Sequence, residues 1–253
     1  LQFSALAAEA PENSDILFAL GLLNLQANRV DDARGNFEKL VKLDSRTDEA
    51  HFYLGQIAEA RKQPEVALKH YKQVQGGSNY FSAQMRTALV KAVKGETDQA
   101  LSFLDKVPVE DDEQRFSVAR AKGEILSDKG RLDEAMRVYD AALIGDAFNS
   151  DMLYTRAMLA ERMGKIDVLE RDLRAIIARE PENAQALNAL GYTLADRTKR
   201  YDEALTLISR AMELAPKDYY ILDSMGWVLY RLGRLEESVD YLKRAKELRN
   251  DPE

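Results

Sequence analysis

Apolar residues recur along this chain at helical spacing. Ile16, Leu17, Leu20 and Leu23 are separated by one, three and three positions, which gathers them on one face of a helix. Asn28 interrupts the run, and Ala33, Phe37, Leu40 and Val41 begin a second amphipathic stretch behind it. No sustained alternation of apolar and polar residues competes, so strands are not expected. The two-part pattern then returns down the chain. Gly21, Gly55, Ala88, Gly123, Ala157, Gly191 and Gly226 follow one another at steps of 34, 33, 35, 34, 34 and 35. Twelve residues beyond each, thirteen in the sixth unit, stand Ala33, Ala67, Ala100, Ala135, Leu169, Ala204 and Ser238. Four further on comes a large apolar residue: Phe37, Tyr71, Leu104, Tyr139, Leu173, Ile208 or Leu242. Three columns kept in step over seven units mean stacked pairs of helices.

Breakers divide each pair. Asn28, Lys62, Gly95, Gly130, Gly164, Thr198 and Gly233 form one column, and Gly and Asn suit the left-handed residue that ends a helix. Pro64 follows Lys62 closely and fits the first turn of the next helix. Turn signals such as Glu180-Pro181-Glu182-Asn183 and Ala215-Pro216-Lys217-Asp218 close the units. The resulting boundaries are 14–47, 48–80, 81–115, 116–149, 150–183, 184–218 and 219–253, with the third and fifth units degenerate. The small columns let two backbones approach, and the large column fills the space against the neighbour. One such hairpin cannot bury its faces alone, so stacking has to supply the stability.

These columns resemble the tetratricopeptide repeat family. The sixth unit carries the pattern most fully, with Leu187, Leu190, Gly191, Leu194, Ala204, Ile208, Ala211 and Pro216. The last unit, with Leu222, Gly226, Leu229, Gly233, Leu242 and Ala245, is also similar. Ala88, Ala157 and Leu169 depart from it and are assigned by register. The resemblance implies an all-α fold, a right-handed superhelix of seven helix–turn–helix repeats, and a scaffold for other proteins. Phe3, Leu6 and Pro11 continue the Phe37, Leu40 and Ser45 columns backwards, so 1–13 is expected to be the second helix of a truncated earlier repeat. Asn250-Asp251-Pro252-Glu253 stands where another unit would start. The chain is therefore expected to be a segment of a longer array.

Two strings resemble a narrower group. Leu190-Gly191-Tyr192-Thr193-Leu194-Ala195-Asp196 and the stretch from Asp223 to Gly233 are similar to Gram-negative outer-membrane TPR lipoproteins. One member of that group is the adaptor of a periplasmic carboxyl-terminal processing protease. This likeness implies a periplasmic scaffold with an upstream lipid anchor, joining a protease to its substrates. Two other classes stay open: a TPR module cut from a larger enzyme such as a glycosyltransferase, and a cytoplasmic co-chaperone.

In such an array the first helices line the concave side. The stripe free to face the groove is offset by one residue from the packing face. It holds Phe18, Leu22 and Leu25 in the first unit, Phe52 and Gln56 in the second, and Met85 and Leu89 in the third. It continues through Arg120 and Glu124, then Tyr154 and Met158, then Asn188 and Tyr192, and ends at Asp223, Trp227 and Tyr230. A solvated stripe should be polar, so large apolar residues here mark a docking face. The competing reading is that tight curvature buries them against the next unit. A clamp for a C-terminal carboxylate needs paired basic groups, but Arg120 and Asn188 are isolated, and Glu49, Glu59, Glu124 and Asp223 have the wrong sign. An extended or partly unfolded protein segment is the expected partner.

Composition narrows the chemistry further. With 36 Lys+Arg against 43 Asp+Glu the net charge is −7, which argues against nucleic acid as the main partner. No apolar run is long enough to span a bilayer. There is no Cys, so disulfides, thiolate metal sites and Cys nucleophiles are excluded. His51 and His70, the two histidines, lack His-Glu-x-x-His or other zinc-ligand spacing and are expected to be structural or surface residues. Gly76-Gly77 has no phosphate-loop Lys, and no Ser has fixed His–Asp company. The Glu110-Asp111-Asp112-Glu113 run sits before a first helix, where acids suit its positive end. No cofactor and no catalysis are expected.

Overall fold

The computed structural model describes residues 12–144 and 148–250. The helix expected before Asn13 falls almost wholly on residues outside that range. Every regular element among the described residues is a helix: α1 Ser14–Gln26, α2 Val30–Lys42, α3 Thr47–Ala60, α4 Pro64–Tyr71, α5 Tyr80–Val93, α6 Thr97–Leu104 and α7 Asp112–Asp128. The order continues with α8 Leu132–Ala142, α9 Ser150–Arg162, α10 Ile166–Arg179, α11 Ala184–Arg197, α12 Tyr201–Leu214, α13 Tyr219–Arg231 and α14 Leu235–Asn250. The chain divides into two compact units, Leu1–Lys129 with α1 to α7 and Gly130–Glu253 with α8 to α14.

Within each unit the helices pack as successive hairpins. In the first unit α1 pairs with α2, α3 with α4 and α5 with α6, and each second helix lies against the first helix that follows. In the second unit α9 pairs with α10, α11 with α12 and α13 with α14 in the same manner. Local chemistry sets the hairpin ends. Asn13, Asp111, Asn149, Asn183 and Asp218 cap the first helices α1, α7, α9, α11 and α13, their side chains accepting backbone N–H bonds of the first turn. Asp111, from the acidic run, accepts from the Gln114 amide at 2.7 Å. Six members of the breaker column adopt positive φ, including Lys62 at 57° and Gly164 at 69°. Thr198 does not; its φ is −134°, and its hydroxyl donates to the Leu194 carbonyl at 2.5 Å instead.

The three columns meet inside the hairpins. A Cβ added at Gly21 would lie 2.6 Å from the Phe37 ring, and one at Gly191 would lie 2.6 Å from Ile208 Cγ1 and 3.1 Å from the Ala204 carbonyl. The glycine column is therefore small because the large column of the paired helix fills that space. The large column is buried from Phe37 to Ile208 but not in α14, where Leu242 is 39% exposed. In the first unit Leu17, Phe37, Leu40, Leu54 and Ile57 join two hairpins into one core, with the Phe37 and Tyr53 rings stacked at 5.1 Å.

The degenerate fifth repeat has a different centre. Arg156 on α9 donates from Nε and Nη2 to both oxygens of Asp172 on α10, at 2.7 and 2.8 Å. Its Nη1 reaches Asp140 on α8 at 2.8 Å. Asp172 is 1% exposed, so a bidentate ion pair stands where the sixth repeat places Leu190 and Leu207.

Candidate protein-interaction surface

The stripe read from the sequence has different characters in the two units. In the first, Phe18, Leu22 and Leu25 are half-buried and pack on the first core. Phe18 meets Phe37 and Tyr53 edge-on at 6.1 and 5.8 Å, and the Arg46 guanidinium covers it at 4.7 Å. Phe52 corrects the sequence reading. It is 6% exposed and belongs to a core with Ala67, Tyr71, Val74 and Ala83, so it fixes the third hairpin on the second and cannot anchor a partner. Gln56 and Met85 are half-buried, while Leu89, Arg120 and Glu124 are exposed.

Three acids on this first face, Asp15, Glu49 and Glu59, are matched internally. Asp15 pairs with Arg46 at 2.8 Å and Glu49 with the same guanidinium at 3.6 Å. Glu59 takes Arg86 at 2.7 Å and also accepts the Tyr71 hydroxyl. Burial and the Glu59 carboxylate together hold the Tyr71 phenol far above its ordinary pKa, so it stays a neutral donor.

The second unit presents an aromatic and acidic face. Tyr154, Met158, Asn188, Tyr192 and Trp227 are half-buried, Asp223 is exposed, and Tyr230 is 54% exposed. The Trp227 and Tyr230 rings stack at 5.6 Å. Arg231 lies 5.7 Å from the Trp227 centroid and 5.0 Å from that of Tyr201, whose oxygen accepts its Nη2 at 2.7 Å. The Tyr192 phenol is pushed above its ordinary pKa by burial and then by Asp196, Glu161 and Asp223. Asn188 Oδ1 and Trp227 Nε1 are enclosed and have no hydrogen-bond partner among the described residues, which is costly unless a further group or water completes them.

Sequence reasoning missed Asp196. The stripe register selects Ala195, which is buried, whereas its neighbour Asp196 reaches Tyr192 electrostatically. An offset of one residue is about 100° around a helix, so the signal lay within the uncertainty of phase. Arg231 was also missed; it follows Tyr230 directly, yet the rings it covers are Trp227 and Tyr201.

The two histidines, isolated in the sequence, come together. His51 Nδ1 on α3 and His70 Nδ1 on α4 are 3.0 Å apart. Burial lowers the pKa of both, and the His51 imidazole lowers that of His70 further. One ring therefore donates Nδ1–H and the other accepts. Among the described residues no group of three His, Cys, Asp or Glu side chains is placed to hold a metal, and no helix is long and apolar enough to cross a membrane.

Two sequence profiles described as tetratricopeptide repeat match this chain, over 182–251 and over 2–41 and 25–80, together more than half of its length. A TPR repeat-containing protein of Pseudomonas aeruginosa is 44% identical over 198 residues, which cover 78% of this chain and 34% of that protein. The chain thus spans about a third of that relative's length. Among solved structures, MamA has a TM-score of 0.53 at 21% identity, covering 63% of this chain and 92% of its own. YrrB, described as a TPR protein with an unusual peptide-binding site, has a TM-score of 0.52 at 19% identity over 67% of this chain and 86% of its own. Both show a shared fold.

Proposed function

Because this chain belongs to the tetratricopeptide repeat family, we propose that it is a non-catalytic scaffold whose first-helix faces hold extended polypeptide segments. One observation carries the reading: Tyr154, Tyr192 and Trp227, half-buried, and Tyr230, 54% exposed, line up on successive first helices of one unit. Aromatic anchors of this kind dominate binding energy at protein interfaces. The peptide-binding site named for YrrB is consistent with that use of the fold. The first unit contributes less, since Phe52 is committed to the core and Asp15, Glu49 and Glu59 are internally paired.

Trp227 is the single tryptophan in the chain, so its fluorescence reports directly on occupancy of the second face. Trp227→Ala or Tyr192→Ala is expected to weaken capture of a polypeptide partner by about 2 kcal/mol with far-ultraviolet circular dichroism preserved. A large loss of melting temperature with no specific loss of binding would assign these rings to the core instead.

The finer assignment is an adaptor that presents substrates to a periplasmic carboxyl-terminal processing protease, from an outer-membrane-anchored full-length protein. The likeness of the 190–196 and 223–233 strings to that lipoprotein group supports it. Co-purification of the full-length protein from its native cell envelope tests it. Protease subunits are expected in the eluate, and recovery of cytosolic chaperones alone would end the adaptor assignment.

A further inference from the structure

We infer that the face of the second unit selects a basic segment: an extended stretch of another protein in which Lys or Arg alternates with aromatic or aliphatic residues. The inference rests on the scaffold reading above and adds the chemistry of the occupant. Its first support is the difference in charge pairing between the faces. Asp15, Glu49 and Glu59 on the first face each hold an arginine of their own unit, leaving Glu124 as the one stripe acid there with no ion pair among the described residues. Glu161 and Asp223, on the corresponding stripe of the second, have no ion pair among the described residues. Asp196 is bound to Arg197 at 3.0 Å, a neighbour more than half exposed to water.

The second support is convergence. Glu161 comes from α9, Asp196 from α11 and Asp223 from α13, yet after burial all three raise the pKa of the same Tyr192 phenol, against the opposing pull of Arg197, the partner of Asp196. Three successive first helices therefore direct negative potential at one ring. An aromatic ring flanked by carboxylates favours a cation over its face and an ammonium or guanidinium at its edge. The surface already holds one such group, since Arg231 covers both Trp227 and Tyr201. Lys246 and Arg249 line the cleft beside Asp223, but neither comes within ion-pair distance of its carboxylate among the described residues. An acidic segment would meet three carboxylates and no unoccupied cation on the stripe. A purely apolar one would leave Glu161 and Asp223 partly desolvated and unmatched, which is unfavourable.

Three fluorescein-labelled twelve-residue peptides test this with the whole chain: Lys-Ser-Tyr-Leu repeated three times, and its counterparts with Glu or with Ser in place of Lys. Anisotropy measures affinity, and Trp227 fluorescence reports where the peptide sits. The Lys peptide should bind at least about ten-fold more tightly than the Glu peptide at low salt, and that preference should shrink as screening shortens the Debye length. The double variant Glu161→Gln/Asp223→Asn should weaken the Lys peptide about five-fold and bind the Ser peptide at least as tightly as the parent does. A charge-matched control, Asp167→Asn/Asp202→Asn on second helices, should change neither. Equal binding of all three peptides, sensitive to Trp227→Ala, would keep the scaffold face and overturn its basic selectivity. An equal loss in the control would reduce the preference to net charge and overturn it too. Absence of binding by all three would remove the face and the inference together.

Discussion

Arg156 and Asp172 offer the sharpest test of how the hairpins are held. Arg156 occupies the column of Leu20, Leu54 and Leu190, and Asp172 that of Phe103, Val138 and Leu207. Both are buried, and they are joined by two hydrogen bonds of 2.7 and 2.8 Å. In Arg156→Ala the Asp172 carboxylate keeps only Arg171 at 3.0 Å, a side chain 61% exposed. An uncompensated buried charge costs about 3–5 kcal/mol, equivalent to roughly 6–20 °C in melting temperature for a chain of this size. Replacing both partners with Leu gives this hairpin the Leu190 and Leu207 of the sixth repeat, and such exchanges range from neutral to about 1–4 kcal/mol stabilising. Urea denaturation followed by circular dichroism gives the global change. Amide exchange in α9 and α10 gives the local one, which matters because stacked hairpins need not unfold together. A single variant costing under about 1 kcal/mol would refute the reasoning, because the desolvation argument predicts several-fold more. A double variant as damaged as the single would refute it too.

Other expectations follow from the same geometry. Gly191→Leu and Ala67→Leu should overpack their hairpins and cost about 1–3 kcal/mol in chemical denaturation; melts matching the parent would displace the register. Lys62, at φ 57°, should be improved by glycine, with Lys62→Gly gaining up to about 1 kcal/mol. The His51–His70 pair ties stability to pH. Both folded-state pKa values lie below the ordinary 6.5, so the unfolded chain takes up protons first. Stability should therefore fall as pH drops below about 6.5, until the folded-state values are passed. Asp48 and Glu38 oppose this shift, and Lys69 adds to the one at His70. Imidazole proton chemical shifts across that window give both pKa values, and His51→Leu/His70→Leu should remove this component of the slope.

Which features the sequence disclosed follows from the reach of each interaction. Gly21 and Phe37, or Gly191 and Ile208, meet inside one hairpin, so their contact recurs as a short fixed interval and is visible as a column. Phe52 depends on how one hairpin leans on the next, an angle that no interval records, and its exposed reading failed there. Asp196 was lost to a single step of helical phase. The two histidines are 19 residues apart and on different helices, which matches no ligand motif, yet their columns explain the meeting. His51 stands where the sister repeats carry Leu17, Leu153, Leu187 and Leu222, all buried. Arg156 and Asp172 obey the same logic. A polar residue placed in a largely apolar column is drawn toward the interior by the fold, where solitary burial is costly. Lys122, in the Arg156 column, turns out of its hairpin to Asp105, but for His51 and Arg156 the natural place for a partner is the packed helix of the same hairpin. In both cases it does, at His70 and at Asp172, which occupy one and the same column, immediately before the large apolar residue. Comparing columns across repeats, and asking which polar intruders come in pairs, would have found both contacts where motif spacing could not.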